Sequence, residues 1–308
     1  MKKQLLIPLT LLLLLIISAC GNNSAEKEGS SAPEEKKSET ITYQSENGPI
    51  EVPADPQRVV VLSSFAGNVM ALDVNLVGVD SWSKANPHFE EKLKDAEVVT
   101  DESLEKIIEL EPDLIIGLSN IKNVDKLSEI APTVTFTYGK VDYLTQHLEI
   151  GKLLNKEEEA QAWIDDFKKR AQEAGQEIKA KIGEDTTVSV IENWDKQLYV
   201  YGDNWGRGTE ILYQEMKLAM PEKVKEMALK DGWYALSLEV LPEFAGDYVI
   251  LSKDADTDNS FQETETYKNI PAVKNNQVFE VNAKEFYFND PLTLDYQLDF
   301  FINSFLGK

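Results

Sequence analysis

Ten residues, Tyr199-Val200-Tyr201-Gly202-Asp203-Asn204-Trp205-Gly206-Arg207-Gly208, set an indole and a guanidinium two positions apart among three glycines. Glycine turns the backbone sharply and leaves room beside its neighbours. Trp205 and Arg207 are therefore expected to be presented by a loop; a structural loop with a surface arginine is the plainer alternative. A second aromatic group, Phe286-Tyr287-Phe288-Asn289-Asp290-Pro291, precedes the last helical pattern. Tyr138 and Phe65 each follow a short β-branched run. In open α/β sheets ligands bind beyond the carboxyl ends of strands, and all four places lie at such ends. Trp82 and Trp194 are possible additions, better suited to packing.

An aromatic cleft with one prominent arginine suits a bulky, largely apolar ligand bearing a few anionic oxygens. A ferric tris-hydroxamate has that chemistry, because its hydroxamate anions cancel the charge of the iron. Arg207 can donate to the iron-coordinating oxygens while the rings cover the organic shell. A trianionic ferric tris-catecholate would call for several basic groups, and no such cluster is visible. The metal would be held by its chelator, so no metal ligand and no cofactor is expected from the protein.

Catalysis finds little support. The histidines are His88 and His147 and the one cysteine is Cys20. No nucleophile elbow, Walker loop or H-E-x-x-H pattern occurs, and two histidines cannot make a three-histidine metal site. A secreted esterase is the less favoured alternative. A receptor for haem, cobalamin or a catecholate is another; haem would need an axial ligand such as Tyr138 or Tyr287.

Positioning these groups requires an α/β framework. Ile41 to Val52 reads as a hairpin turning at Asn47-Gly48. A buried strand is predicted at 58–62 and further short strands at 77–79, 98–99, 114–117 and 134–136, with helical patterns between them, which implies a parallel sheet. From 141 to 182 apolar residues recur at steps of three and four. Asn155 with Glu158 resembles a cap, opening a helix of roughly 40 Å at ~1.5 Å per residue, long enough to join two lobes. Strands follow at 188–191, 198–201, 248–251 and 278–281, then a helix from Pro291 to Leu306. Ser103-Leu104-Glu105 precedes Asp113-Leu114-Ile115-Ile116 by the same interval that separates Ser237-Leu238-Glu239 from Asp247-Tyr248-Val249-Ile250. Such a repeat implies two similar lobes facing across a cleft. Glu105 and Glu239 are then either solvated helix-start carboxylates or matched acidic pegs, one per lobe.

The chain of 308 residues has a formal net charge of −23, which disfavours nucleic acid and adhesion to anionic lipid. Lys2 and Lys3 precede an apolar run too short to span a membrane, so 1–19 reads as a signal peptide. Ile17-Ser18-Ala19-Cys20-Gly21 resembles a bacterial lipobox, implying cleavage before Cys20 and its lipidation. The polar stretch 20–40 cannot form a core and reads as a tether. The folded part divides into a lobe at 41–140, a connecting helix at 141–182 and a lobe at 183–308. The expected location is the extracellular face of the cell membrane, touching lipid only through the anchor.

Taken together, the loop Tyr201–Gly208, Asp231-Gly232-Trp233, Ala245-Gly246-Asp247-Tyr248, Asn289-Asp290-Pro291 and Thr293-Leu294-Asp295 resemble the FhuD-type ferric hydroxamate-binding lipoproteins of Gram-positive ABC importers. The resemblance covers nearly the whole folded part. It implies two Rossmann-like α/β lobes joined by one long α-helix (a class III periplasmic-binding-protein-like fold), with a shallow cleft and little hinge closure. It implies siderophore contact by Tyr138, Trp205 and Arg207, and a cleft wall from Phe286, Tyr287 and Phe288, although positions 286 and 288 are Phe where Trp or Tyr is usual. It implies docking of Glu105 and Glu239 on arginines of the importer's permease, which works with its ATPase. A monomer is expected.

Overall fold

The computed structural model describes residues 39–308. The expected leader, Cys20 and nearly all of the tether lie outside the described residues. A hairpin opens the fold, β1 (Thr40–Ser45) against β2 (Gly48–Pro53). Its turn residues are Glu46 and Asn47, one position earlier than the Asn-Gly pattern predicts. The Ser45 side chain sets this register: its oxygen accepts from the Asn47 N–H at 3.1 Å and its hydroxyl donates to the Gly48 carbonyl at 2.7 Å.

Two five-stranded sheets follow. The first contains β3 (Val59–Val61), β4 (Leu76–Val79), β5 (Glu97–Val98), β6 (Leu114–Leu118) and β7 (Thr133–Phe136), ordered β5-β4-β3-β6-β7 and wholly parallel. The second contains β8 (Val188–Trp194), β9 (Gln197–Tyr201), β10 (Trp233–Leu236), β11 (Tyr248–Lys253) and β12 (Val278–Asn282), ordered β10-β9-β8-β11-β12. Within each half the strand order is third, second, first, fourth, fifth. The second sheet departs from the parallel expectation, since β9 is antiparallel to β8 and β10 to β9. Only Asp195 and Lys196 link β8 to β9, both at positive φ (45° and 68°). Two such residues make a tight hairpin and cannot make the crossover that parallel strands need.

The sequence repeat has a physical basis. Asp113 immediately precedes β6, and its carboxylate accepts from the backbone N–H groups of Gln57 (2.6 Å) and Arg58 (2.9 Å) just before β3. Asp247 immediately precedes β11 and accepts from the N–H and hydroxyl of Thr187, both at 2.8 Å, just before β8. Each aspartate thus aligns the start of its half's central strand pair. The match is looser at the glutamates. Glu105 lies in the first turn of a helix (Leu104–Glu109), whereas Glu239 precedes the helix Leu241–Phe244; both are exposed.

The region 141–182 holds two helices, Tyr143–Leu153 and Glu157–Ile182. Asn155 is not the predicted cap of the second. It sits left-handed at φ 57° while the Lys156 N–H reaches back to the Gly151 carbonyl at 2.7 Å, which is the closing turn of the first helix. Asparagine suits both roles, hence the ambiguity. The long helix places Ala160 in the first half's core and Phe167, Ala171 and Ile178 in the second's. The last helix, Pro291–Leu306, lies along it: Asp295 accepts from the Trp163 indole N–H at 2.9 Å and from Arg170 Nη2 at 2.5 Å.

That last helix also reaches the first half. Asp290 caps it, accepting from the N–H groups of Leu292 (3.0 Å) and Thr293 (3.1 Å). Its carboxylate lies against Gly67 of the helix Ala66–Ala71, where a Cβ would fall 2.0 Å from Asp290 Cγ. Burial pushes the Asp290 carboxyl up to about 6, against the opposing hydrogen bonds of its cap. The folded state therefore holds this proton more tightly than the unfolded chain. The resulting stabilisation is complete below the unfolded value of ~3.9 and is lost as pH rises through about 6. Asp290→Asn keeps a capping oxygen and removes the titration. Urea unfolding should show the variant losing less stability than the parent between pH 4 and 6, by on the order of 2–3 kcal/mol; equal slopes contradict this.

Candidate ligand-binding site

Aromatic side chains from both halves converge on one pocket of about 310 Å³, lined by Trp82, Trp194, Tyr199, Tyr201, Trp205, Arg207 and Trp233. Trp82 comes from the first half, beyond β4, on a short helix whose cap Asp80 accepts from the Trp82 and Ser83 N–H groups at 2.9 and 3.0 Å. Its ring meets Trp194 at 5.3 Å and Tyr287 at 5.5 Å between centroids. Trp205 also borders a neighbouring cavity of about 740 Å³, shared with Phe65, Tyr138, Glu210 and Glu215. Tyr138 meets Trp205 edge-on at 6.3 Å. Carboxylates and amides line this second space more than rings do.

Arg207 is held, not free. Its Nη2 donates to Glu192 Oε1 at 3.0 Å and its Nε to Glu192 Oε2 at 3.1 Å. Glu192, on β8, is fully buried, and it also accepts from the hydroxyls of Ser252 (2.6 Å) and Tyr201 (3.1 Å). The guanidinium carbon lies 4.8 Å from the centroids of both Tyr201 and Tyr287. Burial works against the arginine's charge, but the Glu192 carboxylate more than offsets it and raises the pKa.

The loop's shape follows from three successive left-handed residues, Gly206, Arg207 and Gly208, at φ 68°, 58° and 81°. An arginine in that region costs about 1–2 kcal/mol. The conformation persists because the Arg207 N–H is fixed on the Phe286 carbonyl at 2.8 Å. At Gly206 a Cβ would lie 2.3 Å from the Tyr287 carbonyl oxygen, so the two segments touch backbone to backbone. Glu210 locks them together. It is 1% exposed and accepts from the Gly206 N–H (3.0 Å), Asn289 Nδ2 (2.9 Å) and the Thr209 hydroxyl (3.0 Å). Burial raises its pKa despite those bonds.

The periplasmic binding protein family pattern matches residues 59–285. The chain belongs to that family. Among Bacillus subtilis relatives, the iron(3+)-hydroxamate-binding protein FhuD is 38% identical over 276 residues, covering 87% of each chain. The iron(3+)-hydroxamate-binding protein YxeB is 36% identical, covering 86% of this chain and 84% of its own. The solved structure of FhuD2 from Staphylococcus aureus with bound ferrioxamine B matches at a TM-score of 0.78 and 34% identity, over 82% of this chain and 99% of that one. As a periplasmic binding protein the chain is a non-enzymatic solute receptor with the two-lobed α/β fold of these neighbours.

In this binding protein the structure brings together Trp205, Arg207, Tyr138 and Tyr287, and sets Phe65 at the edge of the larger cavity while 4% exposed. Two expected residues sit elsewhere. The Phe286 ring is fully buried against Phe300 and Phe301, so it supports the site through its carbonyl only. The Phe288 ring stacks on Phe89 at 5.9 Å and packs on the first half's core. Phe286 ends the helical turn Ala283–Phe286 and Tyr287 is its C-cap, and of the three rings Tyr287 is the one that faces Arg207. Trp82, expected to be packed, is 51% exposed. The loop does leave the carboxyl end of β9, but β9 is antiparallel, so the parallel-strand rule does not account for its position; Glu192 does. His147 is packed beside Trp163 and held neutral, its pKa lowered to about 4 by burial.

Sequence reasoning passes over Glu192 and Glu210, and takes Trp233 only as part of a family motif and not as a pocket residue. Glu210→Ala should unfasten the loop from the 286–290 segment. Loss of three hydrogen bonds predicts a destabilisation of roughly 1–3 kcal/mol, with a red-shifted tryptophan emission as Trp205 gains water. Unchanged emission and unchanged urea midpoint would remove Glu210 from this role.

Proposed function

We propose that this protein captures ferric hydroxamate siderophores at the aromatic pocket and delivers them to the permease of an ABC importer. The observation that carries the reading is the pocket wall: indole and phenol rings from both halves around a single, already paired arginine. Such a wall buries the apolar shell of a chelate, at roughly 25 cal/mol per Å² removed from water. Arg207 is the donor for hydroxamate oxygens, backed by the Tyr287 ring, whose centroid lies 4.8 Å from the guanidinium carbon. The relatives named for hydroxamate binding and the neighbour holding ferrioxamine B support the same ligand class.

On this reading the ligand sits across the aromatic pocket and the adjoining cavity, facing Trp205 and Arg207 with Tyr287 in the first and Tyr138 and Phe65 in the second, and the exposed Glu105 and Glu239 meet basic residues of the permease. The protein acts as a monomer held at the extracellular face of the cell membrane by lipid on Cys20, after removal of 1–19. The segment 20–40 spaces the receptor, with lobes at 41–140 and 183–308 joined through 141–182.

Four of the five tryptophans line the pocket, so ferrioxamine B or ferrichrome should quench most of the emission at micromolar concentration or below. Trp205→Ala should weaken binding about tenfold. No quenching by any ferric hydroxamate overturns the proposal. Glu105→Ala and Glu239→Ala should leave solution affinity unchanged and lower cellular iron uptake from the chelate; normal uptake by the double variant removes the docking role.

A further inference from the structure

We propose that Glu192 sets the charge class of the ligand: by cancelling Arg207 it makes the aromatic pocket selective for ferric chelates that carry no net negative charge. The inference rests on the reading above and extends it, because Glu192 has no exposed surface and acts as a positioning residue, never as a contact.

The geometry separates two properties of an arginine that usually travel together. A lone guanidinium offers both hydrogen-bond donors and a positive charge. Here Glu192 takes the Nε and Nη2 donors in a two-point clamp at 3.1 and 3.0 Å. The Nη1 donor points to the Trp205 carbonyl at 3.2 Å, at the base of the partly buried indole. The remaining N–H directions can serve an uncharged chelate's oxygens, yet the pair as a whole presents no net charge to an anion. Arg207 is the one charged residue lining this pocket among the described residues, and the lysines of the adjoining cavity, Lys140, Lys217 and Lys230, are outnumbered there by the carboxylates of Asp142, Asp203, Glu210, Glu215 and Asp231.

Stability does not explain the pair. Burying two opposite charges is at best neutral beside apolar packing of the same volume, and Ser252 and Tyr201 are also spent on the carboxylate. A site built to attract anionic chelates would have no use for a carboxylate within hydrogen-bond distance of its only cation. A site built to donate hydrogen bonds to neutral oxygens gains twice: the guanidinium is held in one orientation, and chelates of the wrong charge are not favoured.

Glu192→Gln tests this, since glutamine keeps the shape and one acceptor for Arg207 while leaving the positive charge uncancelled. Affinities for neutral ferrichrome and for ferric tris-catecholate are measured by tryptophan quenching on the whole folded protein. The variant should shift the ratio toward the catecholate by about tenfold or more, as expected for a full charge within a few ångströms of a trianion in a partly dry site. Glu192→Asp, which keeps the charge, should retain the parent ratio. The Glu192→Gln, Arg207→Gln double variant should return toward it, which assigns the shift to the pair.

A folded Glu192→Gln protein that weakens both chelates equally overturns the inference and makes Glu192 a purely structural residue. Should that variant not fold, Arg207→Gln asks the question from the other side. It leaves the carboxylate uncancelled, so ferrioxamine B, with its pendant ammonium, must gain severalfold over neutral ferrichrome; no gain overturns the inference as well. Failure of the parent protein to bind ferrichrome overturns the proposed function together with this inference, whereas binding with unmoved ratios overturns this inference alone.

Discussion

A buried carboxylate without a countercharge, Glu210, decides where the site can be. Taking such a group out of water is costly unless hydrogen bonds replace the lost hydration. The replacements come from two segments far apart in sequence, the Gly206–Thr209 loop and Asn289. Each bond that makes Glu210 tolerable also fixes the loop against the segment preceding the last helix. Once that contact exists, the Arg207 N–H has only the Phe286 carbonyl to meet, the backbone enters the left-handed region, and the guanidinium points at Glu192. The position of the arginine is thus a consequence of where a different acid is buried.

The same segment ties the site to the relation between the halves. Asp290, next to Asn289, caps the last helix and abuts Gly67 in the first half. His88 of the first half lies on the Tyr296 ring, 3.8 Å between centroids, and Asp295 gathers Trp163 and Arg170 from the long helix. Trp82 closes the aromatic wall from the first half only because these contacts hold the two sheets in register. Such a structure has little freedom for wide hinge motion: the long helix enters both cores, and the last helix is fastened to each half. The rings free to move at the pocket are the exposed Trp82 and Trp233.

How much of this could be read from sequence depended on whether the signal was local. Four strands of the first sheet, β3, β4, β6 and β7, are short apolar runs because parallel strands are covered on both faces, and they were legible to within a residue, as was the exposed two-residue edge β5. The repeat was legible because an aspartate that organises a strand start must keep its spacing. The antiparallel β9 was not, since its apolar run looks the same in either direction and the information sits in two polar residues at positive φ. Glu192 was hidden for a related reason. The apolar run of β8 stops at Ile191, so Glu192 and Asn193 read as the strand's end, yet both are buried and satisfied within it. A buried acid is visible only through its partners, and Arg207, Ser252 and Tyr201 are all distant along the chain. Phe286 and Phe288 failed for the opposite reason: composition shows three aromatic residues in a row but not which way each ring turns.

The pairing of a cancelled arginine with exposed rings also bears on hand-off. When a chelator holds the iron and the protein supplies no ligand to it, release breaks no metal–protein bond. Affinity on the proposed reading comes from apolar area and a few hydrogen bonds, terms that fade together as the two surfaces separate. An anionic chelate gripped by clustered cations would lose its attraction only gradually with distance, because Coulomb energy falls slowly in a poorly solvated cleft. A neutral chelate on an aromatic wall detaches over the few ångströms needed to admit water. On that reading, cancelling the charge at Arg207 serves release as well as selection, in a receptor whose two halves share the long helix and are both fastened to the last one.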